Sequence, residues 1–88
     1  MEINGKEYTI NTDTSLGTEK LISKIMQDPE NPKNIIYMEH VLRDILLPTP
    51  TTKDLNSMRR SQREAIFEEF GKEMDEINKG FKKKHSLL

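Results

Sequence analysis

The chain has 88 residues, a third of them hydrophobic and a third charged, with 14 basic against 15 acidic side chains and a formal net charge of −1. That length predicts one domain over 1–88, the lean apolar content predicts a core that is marginal alone, and the balanced charge lacks the basic excess of a dedicated nucleic-acid binder. The absence of cysteine excludes a disulfide framework and a thiolate metal site.

The opening "MEINGKEYTI" (1–10) predicts a β-hairpin. Asn4-Gly5 is the favoured pair for a two-residue type I′ turn, because both central positions need positive φ. That turn pairs Ile3 with Lys6 and Met1 with Tyr8, so Met1, Ile3, Tyr8 and Ile10 share one face. Glu2, Glu7 and Thr9 share the other. A lone hairpin is marginal in water, so its apolar face must rest on a helix or a partner.

"NTDTSLG" is a polar break, and a first helix is predicted from about Thr18 to Gln27, with Thr14 and Thr18 as rival N-caps. Leu21, Ile22, Ile25 and Met26 recur at helical spacing, and Leu16 is placed to staple the first turn. The prolines of "DPENPKN" end this helix. A second helix, "IIYMEHVLRDILL", is predicted to start at an Asn34 cap and stop before Pro48. It is apolar on nearly every side, which predicts the central buried spine of the fold.

"PTPTT" is a stiff connector, after which Thr51 and Asp54 have capping-box spacing. Ser61 and Glu64 repeat that spacing, so the chain either bends near Arg60 or runs on; one long helix from about Lys53, kinked or straight, is the favoured reading. Ala65, Ile66, Phe70, Met74, Ile77 and Phe81 form a stripe at three- and four-residue steps, flanked by Phe67. Such a helix runs roughly 40 Å at ~1.5 Å per residue, longer than a domain this size covers with its own core. The tail 82–88 reads as frayed and basic. The predicted fold is therefore mainly α, an N-terminal hairpin followed by about three helices, the last long and amphipathic.

No motif of catalysis stands out. His40 lies beside Glu39 and Asp44 on the polar strip of the spine helix, an arrangement that is far more often a solvated surface pair than an acid–base or metal site. No Gly-rich phosphate loop precedes a helix. The expectation is a non-enzyme without cofactor or metal. Arg59, Arg60 and Arg63 follow a helix–connector–helix layout and are the candidate nucleic-acid contacts of an alternative, a small DNA-binding regulator. Against it, the connector holds two prolines and the arginines run straight into the acids Glu64, Glu68 and Glu69, so nucleic acid is disfavoured. The first half of the stripe is needed to pack on the spine. Its second half has fewer residues left to cover it, and methionine adapts to varied partners. Phe67, Phe70, Met74, Ile77 and Phe81 are accordingly the candidate contacts for a protein client, with a homo-oligomer built on the same seam as the other use of it.

The hairpin residues Ile3-Asn4-Gly5-Lys6-Glu7-Tyr8 and the layout behind them resemble the tail assembly chaperones of long-tailed bacteriophages and related prophages. Those small proteins begin with an Ile-Asn-Gly-Lys-x-Tyr hairpin and continue as a helical domain. The resemblance covers the first strand pair and the general layout. It implies a non-enzymatic factor of the host cytoplasm that coats the long, apolar, helical tape measure protein while tail subunits polymerise around it. It also implies a longer frameshifted form, to which Lys82–Lys84 would correspond as an A-rich slippery stretch; the commoner role of such a run is to complement a helix C-terminus. A structural phage subunit of an obligate oligomer is the remaining alternative. Neither a bilayer-spanning stretch nor a signal peptide is visible, so the expected location is cytoplasmic.

Overall fold

A computed structural model describes residues 1–78 in full and, for 79–86, only that they continue the last helix. The expectations for Phe81 and for the tail 82–88 lie outside the described residues. The protein is mainly helical. The first strands, β1 (Glu2–Ile3) and β2 (Lys6–Glu7), pair antiparallel with Ile3 opposite Lys6. Asn4 and Gly5 take φ of 52° and 83°, the positive values that the turn demands. The Tyr8 amide donates to the Met1 carbonyl at 2.8 Å, which keeps the predicted register one pair further out.

The expected hairpin does not reach residue 10. β3 (Thr9–Ile10) turns away and pairs antiparallel with β4 (Leu46–Leu47), placing Ile10 opposite Leu46. The Asn11 amide extends that contact to the Ile45 carbonyl, and its side chain donates to the Asp44 carbonyl. Ile3 and Tyr8 are buried, as their shared face requires, whereas Ile10 is only partly covered.

Helix α1 spans Leu16–Gln27 and starts earlier than its sequence spacing predicts. Ser15 is the N-cap: its hydroxyl accepts from the Thr18 amide at 3.2 Å, and neither Thr14 nor Thr18 has that place. Thr18 is instead buried one turn in, and the Thr14 hydroxyl makes no hydrogen bond among the described residues. Leu16 points to solvent rather than stapling the turn.

Helix α2 spans Asn34–Ile45. Asn34 is its first residue and not its cap; the side chain is buried and donates back to the Asp28 carbonyl, closing the link between the two helices. Ser15 at the other end donates its amide to the Asp44 carboxylate at 3.0 Å, so α1 and α2 lie antiparallel. Lys24 of α1 sits 5.5 Å over the Tyr37 ring of α2. The spine reading holds for half of α2. Val41, Leu42 and Ile45 are buried, but Ile35 and Ile36 near its start face solvent, with Ile35 71% exposed. Only one half of the helix passes through the core.

The peptide between Leu47 and Pro48 is cis. Helix α3 (Thr52–Ser57) opens with the expected capping box, the Thr51 hydroxyl accepting from the Asp54 amide and the Asp54 carboxylate from the Thr51 amide. The single long helix expected from Lys53 is broken at Met58–Arg59, and α4 (Arg60–Ser86) begins afresh. The Arg59 amide donates to the Gln62 side chain at 2.8 Å, so Gln62, and not the Ser61–Glu64 pair, serves the new start. The break lets Leu55 and Met58 turn inward while α4 crosses the remaining core with Ile66 and Phe70.

The core thus joins Ile3 and Tyr8 of the N-terminal strands to Val41, Leu42, Ile45 and Leu46, to Leu55 and Met58, and to Ile66 and Phe70. Fully burying a side chain of this size stabilises the fold by roughly 1.5–3 kcal/mol. Helix α1 adds only partly buried Leu21, Ile22 and Ile25 at the margin.

Candidate functional site

Because α1 lies at the margin, its inner face is covered on one side only. An open cleft of about 360 Å³ remains between α1, α2 and α4, lined by Ile22, Ile25, Met26, Met38, Phe67, Phe70 and Gly71. Every lining side chain is apolar and Gly71 has none, which leaves no side-chain group there to orient a polar ligand or to donate and accept protons. Its volume is at the small end of ligand sites, enough for a few inserted apolar side chains. Met26 stands at its edge with 74% exposure. Gly71 forms part of the wall, and a Cβ placed there would meet no atom within 4 Å.

Met38 also borders a second, smaller groove of about 230 Å³ with Ile35, Glu39, Leu42, Leu55, Asn56 and Arg63. Met38 borders both depressions, so apolar side chains reach from Met26 through Met38 to Ile35, with Glu39, Asn56 and Arg63 forming the polar part of the second groove. The source of this apolar surface is the uncovered half of α2, which the all-round apolar pattern of that helix concealed.

The candidate contacts at Phe67, Phe70, Met74 and Ile77 fall in different places. Phe67 and Phe70 line the cleft, although Phe70 is 8% exposed and belongs chiefly to the core. Met74 is partly buried against that core. Ile77 is 50% exposed and lies away from the cleft, over Ile10, Thr12, Glu73 and Glu76. Among the described residues, the stripe is thus shared between the cleft, the core and the surface beside Ile10. Ile22, Ile25, Met26 and Met38 complete the cleft; their helical spacing in α1 and α2 was visible, but it carried no sign of which face stays uncovered.

Arg59 and Arg60 are exposed at the α3–α4 break, whereas Arg63 is half-buried and donates to the Met58 carbonyl at 3.1 Å. His40 is exposed beside Leu21, Ile36 and Tyr37. Its sequence neighbours Glu39 and Asp44 are engaged by other groups. Glu39 accepts from Arg43 at 2.8 Å, and Asp44 accepts from α1. The Thr18 hydroxyl and then the Ser15 amide hold the Asp44 carboxyl below its ordinary pKa. Among the described residues no three His, Cys, Asp or Glu side chains are grouped to hold a metal ion, and no helix is long and apolar enough to cross a membrane. Comparison with family models, curated proteins and solved structures finds no match for the chain.

Proposed function

We propose that this protein is a non-catalytic protein-binding factor that seats an apolar helical segment of a client against the α1–α2–α4 cleft. The observation that carries the reading is the cleft itself: seven uncharged residues, with exposed Met26 and Ile35 continuing the apolar surface on either side of Met38. Exposed contiguous apolar surface rimmed by polar residues marks an interaction site, and a groove between helices suits a helix laid into it with anchors at i, i+3, i+4 and i+7. The resemblance of "MEINGKEYTI" to phage tail assembly chaperones supplies the finer reading. On it, the client is a tape measure protein, long, apolar and helical, and the place of work is the host cytoplasm.

Affinity capture from the native host, with nuclease-treated and untreated samples compared by mass spectrometry, tests the finer reading. The expected result is a long helical tail protein whose recovery is unaffected by nuclease and is lost for a Gly71→Leu variant that fills the cleft. Recovery that depends on nucleic acid would overturn it in favour of a regulator working through Arg59 and Arg60.

A further inference from the structure

Exposed acids outnumber bases beside the cleft-lining residues of α1 and α4. On α4, Phe67 and Gly71 line the cleft one turn apart. Glu64, Glu68 and Asp75 stand three or four residues from them and are placed by helical spacing on the outward row beside the opening. Arg63, four residues before Phe67, is half-buried on the other side of the helix, where it lines the second groove and donates to the Met58 carbonyl. On α1, Glu19 stands one turn before Ile22 in the same relation to the opposite wall. All four are exposed. Lys72 lies on the far side of the α4 row and reaches Glu68 only at 3.8 Å, with both side chains largely in solvent, so it offsets little of this charge. The whole chain has a net charge of only −1, so the acidic rim is a local property of this cleft.

The geometry points to one kind of occupant, an amphipathic α-helix of a client protein whose apolar stripe is flanked by lysine or arginine. The stripe enters the apolar floor. The flanking cations meet Glu64, Glu68 and Asp75 along one edge and Glu19 on the other, where complementary charge fixes orientation and speeds encounter. A helix flanked by acids finds the same floor but is repelled at both edges. This inference rests on the protein-binding reading and adds the chemistry of the partner.

The test uses the full chain and two synthetic helical peptides with one leucine stripe, flanked by lysine in the first and glutamate in the second. Fluorescence anisotropy at low salt should give tighter binding of the lysine peptide by about tenfold, a preference that shrinks at high salt as the edge charges are screened. Gly71→Leu should remove binding of both. The triple variant Glu64→Lys, Glu68→Lys, Asp75→Lys changes only exposed side chains and should reverse the preference. Equal binding of the two peptides, still blocked by Gly71→Leu, would overturn the charge inference and leave the protein-binding reading standing. Binding of neither peptide would overturn both. Sedimentation showing a stable dimer that dissociates with Gly71→Leu would also overturn the inference, since a second copy would then own the cleft.

Discussion

The Asp54 carboxylate accepts from Lys6 at 2.8 Å, from the Tyr8 hydroxyl at 3.3 Å and from the Thr51 amide at 3.4 Å. One side chain thus ties the β-hairpin to the first turn of α3. The hydrogen bond from Lys6, helped by those from Thr51, lowers the Asp54 pKa to about 2 against the opposing effect of burial. An unfolded aspartate titrates at about 3.9. Since the folded value is the lower one, Asp54 contributes stability that is fully present above about pH 4 and is lost as pH falls through about 2. The midpoint of denaturation should therefore separate wild type from Asp54→Asn most widely above that window, and the separation should close towards pH 2. A difference that ignores pH would show that the charge of Asp54 is not what matters. At the alkaline end the same contact raises the Lys6 pKa, and burial with the nearby Asp54 charge raises that of Tyr8. Stability from this pair is present below about pH 10 and is lost as pH rises beyond it.

Helix α2 places the same residue type in two surroundings. Ile45 is fully buried, whereas Ile35 is mostly exposed. Ile45→Ala should cost about 2–5 kcal/mol, since it removes packed atoms and leaves a cavity. Ile35→Ala should change stability by less than about 0.5 kcal/mol, as surface substitutions do. Urea titration of both variants checks the contrast; equal losses would mean that the start of α2 is covered in solution. That contrast also marks how far the sequence could be read. The Asn4-Gly5 turn and the Thr51–Asp54 box were legible because each is written in neighbouring residues and obeys local geometry. The stop at Met58 and the restart through Gln62 were only half legible, since a continuous helix and a broken one share the same apolar spacing. The open side of α2 and the apolar cleft were not legible. Periodicity tells which residues share a face, but coverage depends on where α1 and α4 dock.

At the scale of the molecule, the β3–β4 pairing joins Thr9–Ile10 to Leu46–Leu47 across the whole α1–α2 excursion. Two-residue strands so far apart in the chain leave no pattern to read, and this is why the hairpin was expected to keep Thr9 and Ile10 for itself. The pairing closes residues 11–45 into a loop cinched at its neck, with the Asn11 bonds to Ile45 and Asp44 just inside the knot. A helical pair tied at its base should open as one cooperative unit. In native-state hydrogen exchange, amides in the middle turns of α1 and α2 should share one opening free energy, distinct from that of α4. Unrelated protection in the two helices would contradict this. The cleft straddles the boundary, with Ile22, Ile25, Met26 and Met38 inside the cinched loop and Phe67, Phe70 and Gly71 outside it. An occupant would therefore act as a rivet across that boundary, and its arrival should be recorded as a single, merged protection pattern extending beyond the contacts it makes.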